Sequence, residues 1–253
     1  MTNLSTSLVV VPTYNEAGNL PELVRRLAAV GPYDLLIVDD GSPDGTAAVG
    51  QRLAAEYPGQ LAVLRRNAKE GLGPAYVAGF RWALSHGYDF IFQMDADLSH
   101  DPVTLGRLRA ALDGADLVVG SRYVPGGFTI GWPRRRRLLS QLGSLYARQL
   151  LGVPVRDVTG GFKGFRRRAL ASLDLERLGA RGFGFQVEVT YRLHRNGYRV
   201  VEVPITFADR QVGVSKMSSA IIAEALLLPW QLLLGDWLDH VRGVRPWGEQ
   251  LGN

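Results

Sequence analysis

Two aspartates, Asp95 and Asp97, stand two positions apart at the end of a run of aromatic and aliphatic residues, 88–94 (YDFIFQM). In an extended backbone, residues i and i+2 point to the same side, so the spacing predicts that both carboxylates face one small volume. Like charges that close repel and raise each other's pKa unless a cation lies between them. Hard divalent cations such as Mg2+ or Mn2+ accept carboxylate oxygens and keep positions open for phosphates. On this reading a metal–diphosphate site lies at the end of a buried strand. The same residues admit a plainer reading, in which Asp97, Ser99 and Asp101 are turn formers and helix caps ahead of Pro102 and the periodic stretch after it.

The surrounding pattern indicates what would position this pair. Residues 8–11 form a valine-rich run before Pro12 and read as a strand buried on both faces. Residues 20–30 carry apolar side chains at helical spacing, 33–38 read as a second strand, and 46–57 as a helix. Strands at 61–64, 88–94 and 116–120 then alternate with helices at 71–84 and 102–112. This alternation predicts a parallel, doubly wound α/β sheet, whose ligands bind beyond the carboxyl ends of the strands. Polar clusters fall at those ends: Tyr14-Asn15-Glu16, Asp39-Asp40, Asp95-Ala96-Asp97 and Ser121-Arg122-Tyr123. In the second half, Arg134–Leu151 reads as an amphipathic helix with a basic start, and 158–165 (VTGGFKGF) as an extended, glycine-rich segment near the site. Residues 185–196 read as a helix, 198–205 as a strand, and 209–216 (DRQVGVSK) as a polar, mobile loop. There is no Walker-type phosphate loop and no GxGxxG after the first strand, which weighs against kinase and dinucleotide-binding readings.

The 253 residues are 46% hydrophobic and 21% charged, an ordinary globular composition with no linker dividing it. The formal net charge is +5, with basic clusters at 134–137 and 166–168 that suit phosphates, nucleic acid or an anionic membrane. Absence of cysteine excludes a disulfide framework and a thiolate metal site, and fits a reducing compartment. The opening MTNLSTS has no signal-peptide pattern. The most apolar stretch, 220–234, is shorter than the ~20 residues a membrane span needs. It also holds Glu224, Gln231 and Pro229, and Pro229 is expected to break or kink a helix there. That stretch reads either as a core-packing helix or as an interfacial one, with Trp230 and Trp237 at the headgroups.

The ordered motifs VVVPTYNE, VDDGSPDGT, DADLSH and GSRY resemble those of the family 2 glycosyltransferases. TGGFKGF, FGFQVE and EVPITFADRQVGVSK narrow the resemblance to the dolichol-phosphate (polyprenol-phosphate) mannose synthases, from about residue 8 to 234. It implies a GT-A-type, Rossmann-like, mostly parallel sheet flanked by helices, with a C-terminal amphipathic helical segment. Residues 1–215 would form a single catalytic domain, and 216–253 interfacial or packing helices and a tail. The implied reaction moves mannose from GDP-mannose to a polyprenyl (dolichyl) monophosphate, with inversion at the sugar carbon. The implied cofactor is Mg2+ or Mn2+. The implied setting is cytoplasmic, peripheral on the cytoplasmic face of a membrane, with a possible membrane-anchored partner protein and no nucleic acid.

The resemblance also implies roles. Pro12, Tyr14 and Glu16 would line the guanosine pocket, and Val38 and Asp40 would flank the nucleoside. Asp95, Ala96 and Asp97 would hold metal and diphosphate, with Ser99 where some relatives place a glutamine ligand, and His100 as a local hydrogen-bonding residue. Arg122 and Arg136 would meet phosphates of donor and acceptor. Gln186 and Glu188 would face mannose or acceptor, and Arg210 and Lys216 would lie in a loop that closes over the diphosphate. A phosphomonoester has a second pKa near 6, so this acceptor needs no protein general base. Two other readings remain. One is a transferase for another nucleotide sugar, such as UDP-glucose, on the same lipid phosphate. The other is a non-catalytic nucleotide- or nucleic-acid-binding protein, against which stand the full set of charged positions and the lack of aromatic residues interleaved with the basic ones.

Overall fold

Alternate residues of the first strand go to opposite layers. In β1 (Ser7–Thr13), Leu8 and Val10 pack into one hydrophobic cluster and Val9 and Val11 into another, all four fully buried. A strand apolar on both faces needs cover on both sides, which is why helices sandwich this sheet. The computed structural model describes residues 6–180, 182, 184–209 and 219–242. After β1 come α1 (Leu20–Ala28), β2 (Asp34–Asp39), α2 (Thr46–Glu56), β3 (Leu61–Arg65), α3 (Leu72–Ser85) and β4 (Phe90–Gln93). A 3₁₀ turn, Pro102–Thr104, leads into α4 (Leu105–Ala111), then β5 (Leu117–Ser121), β6 (Phe128–Ile130) and α5 (Arg134–Leu151). The chain continues with β7 (Lys163–Arg166), α6 (Arg167–Ala171), α7 (Gly184–Arg195), β8 (Val200–Pro204), β9 (Thr206–Ala208) and α8 (Ser219–Val241).

Seven strands form one sheet in the order β3-β2-β1-β4-β7-β5-β8, and β6 pairs with β9 apart from it. The β1/β2, β1/β4, β2/β3 and β5/β8 pairs are parallel. This is the expected α/β class, with one difference. The segment read only as extended supplies β7, which runs antiparallel between β4 and β5. Its reversal brings the start of the strand, rather than its end, to the ligand edge. Gly164 makes the insertion possible: a Cβ there would lie 2.7 Å from the Phe92 ring. The β6/β9 pair was not expected, because three-residue strands leave too short a pattern to read. The stretch read as one helix over 102–112 divides at Thr104, where Asp101 caps the 3₁₀ turn through the Val103 N–H.

The two layers draw on different helices. Leu20, Leu23, Val24 and Leu27 give α1 a single apolar face, which packs with Leu105 and Leu108 of α4 beneath one side of the sheet. Burial of each such side chain contributes about 1.5–3 kcal/mol. On the other side, Tyr76 and Phe80 of α3 and Phe185 of α7 stack in an aromatic group. Ala147 and Leu151 of α5 and Leu228 and Leu232 of α8 belong to the same cluster. Of the break or kink expected at Pro229 there is no break: α8 runs through it as one helix. Pro229 is buried, and the Tyr146 hydroxyl of α5 donates to the Leu226 carbonyl at 2.8 Å. Asp236 fixes the far end, accepting from the Tyr191 hydroxyl and from Arg192 and Arg195 of α7. No helix among the described residues is long and apolar enough to cross a membrane.

Candidate active site

Beyond β1 and β2 the chain is stapled by short polar bonds. The Asn15 N–H donates to Ser42 Oγ (3.0 Å), the Glu16 N–H to Thr46 Oγ1 (2.9 Å) and the Ala17 N–H to Asp44 Oδ2 (3.1 Å). The Thr13 hydroxyl reaches the Val38 carbonyl and Asp39, each at 3.4 Å. Tyr14 lies half-buried with the Lys69 ammonium 3.8 Å from its ring centroid. Pro12 is also half-buried, and Glu16 accepts from the Asn19 amide at 2.7 Å. Two of the residues expected to flank the nucleoside also have partners within the protein. The Val38 side chain is fully buried in the core, so only its backbone is available at this edge. The Asp40 carboxylate accepts from Arg66 and from the Glu70 and Gly71 N–H groups, each of those two at 3.1 Å. It anchors the turn into α3, where a carboxylate readily takes backbone donors.

The acidic pair lies past the end of β4 rather than within a strand. Pairing stops at Gln93, and after Asp95 residues 96–98 form a bend in which Leu98 has φ +62°. A left-handed leucine costs about 1–2 kcal/mol, and the Ser99 N–H to Asp97 Oδ1 bond (3.1 Å) helps hold the turn. Alternation along an extended strand is therefore not what presents these carboxylates; a strained turn does so. Asp97 is buried, while the Asp95 side chain is one-quarter exposed. The Tyr76 hydroxyl sits 3.5 Å from Asp95 Oδ1, and its pKa is pushed well up by burial and by that charge. His100 Nε2 lies 3.5 Å from Asp95 Oδ2, within ion-pair reach but outside hydrogen-bond geometry. Among the described residues, buried Ser99 Oγ and both ring nitrogens of His100 lack a hydrogen-bond partner.

These features bear on a metal. Among the described residues there is no cluster of three or more His, Cys, Asp or Glu side chains placed to hold one. Two carboxylates beside an unpartnered hydroxyl do fit a hard cation that keeps most positions for water and phosphate. Asp95 and Asp97 would hold it, with Ser99 Oγ in reach of the same turn.

Arginines gather across from the acids. Arg122, next after β5, is nine-tenths buried and forks onto Asp157, with Nε and Nη2 each at 2.7 Å, while its own N–H donates to the same carboxylate at 2.9 Å. Thr159 Oγ1 accepts from Nη2 at 3.0 Å. Burial pulls this guanidinium's pKa down, but the Asp157 charge and hydrogen bonds outweigh it and the net shift is upward. Arg136, at the start of α5, pairs with Asp209 at 2.9 Å. The Trp132 ring lies 4.2 Å from the Arg136 guanidinium and 5.2 Å from that of Arg122, so the two expected phosphate ligands meet on one indole. Phe207 packs against Trp132 and His100, and His100 against Phe162, forming an aromatic wall between the acids and the arginines.

Two residues assigned to mannose or acceptor are engaged inside the protein. Glu188, 2% exposed, accepts from the Gly179 and Ala180 N–H groups at 3.1 and 3.0 Å and pairs with Arg192. Gln186, 1% exposed, accepts from the Gln93 amide, which also donates to the Gly161 carbonyl at 3.0 Å. Gly161 in turn lies against Asp95: a Cβ there would sit 3.3 Å from Oδ2. Gln186 thus supports the acidic turn from behind. Lys163, fully buried, donates to the Gln186 carbonyl (2.6 Å) and to Thr190 Oγ1 (2.9 Å), and burial lowers its pKa to about 7. Arg210 and Lys216, and with them the expected closing loop, lie outside the described residues. Asp157 was not anticipated, although an acid two positions before Thr159 and the Gly160-Gly161 pair was its available signal.

The sequence profile of Glycosyl transferase family 2 matches residues 8–174. The chain is 48% identical over 240 residues to a polyprenol monophosphomannose synthase of Mycolicibacterium smegmatis, covering 94% of this chain and 91% of that one. It is 50% identical over 221 residues to an undecaprenyl-phosphate mannosyltransferase of Micrococcus luteus, covering 87% and 90%. Among solved structures, a mannosyltransferase of Pyrobaculum calidifontis in complex with GDP-Man and Mn2+ superposes with a TM-score of 0.63 at 20% identity. That match covers 93% of this chain but 66% of the other, just under two thirds of its length, and bears on the fold alone.

Proposed function

We propose, from the premise that this chain belongs to glycosyl transferase family 2 and is a glycosyltransferase, that it moves mannose from GDP-mannose to a polyprenyl monophosphate with inversion at the sugar carbon. The observation that carries the reading is one edge with two halves: Asp95 and Asp97 on one side, Arg122 and Arg136 sharing Trp132 on the other. The relatives' names support mannose and a polyprenyl phosphate, and the guanosine donor rests on the resemblance carried by the sequence motifs.

Negative charge grows on the diphosphate as the sugar leaves, so what the protein must supply is positioning and charge stabilisation. A Mg2+ or Mn2+ ion bound by Asp95 and Asp97 would supply Lewis-acid neutralisation of that charge. Arg122, held rigid by Asp157 and Thr159, presents a fixed positive charge to a phosphate. Arg136, stacked on Trp132, offers a second one and exchanges Asp209 for it. The acceptor oxygen is already ionised, so no side chain need remove a proton from it. The aromatic wall of Phe162, His100, Phe207 and Trp132 keeps water from the space between the two charge groups. Pro12, Tyr14 and Glu16 would receive the nucleoside, and Lys216 and Arg210 would close over the diphosphate.

The outward faces of α5 and α8 fit work on a bilayer. Leu138, Leu139, Leu142 and Leu145 of α5 and Leu226, Leu227, Trp230, Leu234 and Trp237 of α8 are all exposed. Together with the arginines at 134–137 they read as an interfacial surface laid on the cytoplasmic face of a membrane. α8 thereby serves both expected roles, with Leu228 and Leu232 inward and tryptophans outward.

The test offers the purified protein labelled GDP-mannose, UDP-glucose or UDP-N-acetylglucosamine, with a polyprenyl phosphate in detergent, with and without Mg2+ or Mn2+. Metal-dependent label from GDP-mannose in the lipid extract is expected. Label from another donor would overturn the sugar, and retention of the protein on DNA without nucleotide binding would overturn the enzyme reading.

A further inference from the structure

A cavity of about 310 Å³ opens beside α5, lined by Tyr123, Gln141, Leu145, Arg148 and Arg156. Gln141, Leu145 and Arg148 fall at i, i+4 and i+7 of α5 and so share one face of it. Arg156 reaches the cavity from the segment between α5 and β7. Among the described residues neither Arg148 nor Arg156 has a side-chain hydrogen bond or an ion pair. Arg156 uses only its backbone N–H, which donates to Glu202 at 2.8 Å. The neighbouring guanidiniums differ, since Arg122 is held by Asp157 and Arg136 by Asp209. Two like charges that line one cavity with no acid between them favour an anion there.

The remaining wall is a ring, an amide and a leucine, Tyr123, Gln141 and Leu145, which narrows the anion. Leu145 lines the cavity and is also part of the exposed leucine stripe of α5, so the cavity opens on the surface read above as membrane-facing. Tyr123 contributes its ring; its hydroxyl donates to Ser140 at 2.6 Å. The same ring lies 5.0 Å from the Arg122 guanidinium, so it is a wall shared by the cavity and the active site. An occupant would need a phosphate to meet two arginines and hydrocarbon to continue along Leu145.

We infer that this cavity binds the phosphodiester headgroup of an anionic phospholipid, seating α5 on the bilayer beside the active site. The inference rests on the reading that the acceptor is a lipid phosphate in a membrane. Its chemistry, a lipid-borne phosphate, is shared with the acceptor itself, and the arms of the test separate the two.

Full-length wild type and R148Q/R156Q are compared for binding to phosphatidylcholine vesicles with and without phosphatidylglycerol, at physiological ionic strength. Both substituted side chains reach solvent, so the fold is retained. Each basic residue near an anionic surface is worth about fivefold in the binding constant, so two diffuse charges account for roughly thirtyfold and the variant is expected to lose more than that of the preference for phosphatidylglycerol. Its binding to phosphatidylcholine alone is expected to stay unchanged, as are kcat and KM for a short, water-soluble polyprenyl phosphate without vesicles. A raised KM for that short acceptor would overturn the assignment and give the cavity to the acceptor. An intact phosphatidylglycerol preference would also overturn it, as would a loss no greater than that of R134Q/R135Q, which would reduce the effect to diffuse charge. Wild type inactive on the short acceptor, yet selective for phosphatidylglycerol through Arg148 and Arg156, would sink the reaction and leave the lipid site standing.

Discussion

Beyond the ends of β1, β2 and β4 the charged side chains are mostly carboxylates; beyond β5 and at the start of α5, Arg122 and Arg136 are guanidiniums held by carboxylates. The two halves hold their charges differently. Asp39, Asp40 and Asp44 take backbone N–H groups and tie loops together. Arg122 and Arg136, by contrast, are held by the side chains of Asp157 and Asp209. An aspartate near this site therefore has three possible tasks, and its neighbours tell which. Asp40 takes two backbone amides beside the Arg66 guanidinium, Asp157 takes the Arg122 guanidinium and its N–H, and Asp95 and Asp97 stand beside the unpartnered Ser99 hydroxyl and the His100 ring.

The contrast can be broken most sharply at Asp97. Asp97→Ala is expected to lower transfer by about 10³-fold or more, the scale on which removed electrostatic stabilisers act, while the melting temperature moves little. Metal-dependent activity close to wild type would remove it from the site.

Asp157→Asn should behave differently, because it strands a buried guanidinium. A loss of about 3–5 kcal/mol in unfolding free energy is expected by denaturant titration, with transfer falling about 10²-fold well below the melting temperature. R122Q/D157N should be more stable than D157N, since no charge is then buried alone. Additive destabilisation in that double variant would show that the pair does not act as a unit.

Lys163 tests the same half through pH. Its folded pKa, about 7, is lowered by burial from an ordinary value near 10.5. As pH falls from about 10.5 towards 7, the unfolded chain takes up this proton and the folded one does not. The lysine thus lowers stability as pH falls, by up to about 1.4 kcal/mol per pH unit, with no further change below about 7. Lys163→Met should flatten that slope in denaturant titrations between pH 7 and 10. The Gln186 carbonyl keeps a donor in the Thr190 hydroxyl at 2.8 Å. An unchanged slope would place the proton elsewhere. The smallest effect is expected at Tyr76→Phe, which removes a single long hydrogen bond to Asp95 and should cost transfer only a few-fold.

Much of this was legible because it is local. The first strands and helices alternate in sequence as they do in space, and the clusters at their ends are the site's acids. Arg134–Leu151 is helical over the bounds its pattern predicts. What was not legible depends on partners distant in sequence. That Glu188 serves the backbone near residue 180, or that Val38 faces the core, follows from packing and not from residue type. Asp157 lay one residue outside the glycine-rich stretch, and its role appears only once Arg122, 35 positions earlier, is brought beside it.

The antiparallel strand at the centre of the sheet has a consequence for synthesis. β4 has β1 on one side, and its other edge is filled only by β7. β5 pairs with β7 and β8 and with nothing made earlier. From the emergence of residue 93 until residue 163 leaves the ribosome, several seconds at about 5–20 residues per second, the Phe90–Gln93 edge stays open. A nascent chain that ends anywhere between them carries an unprotected aromatic strand, of the kind that recruits other chains. The completed sheet has this strand at its middle, and the growing one has it at its margin.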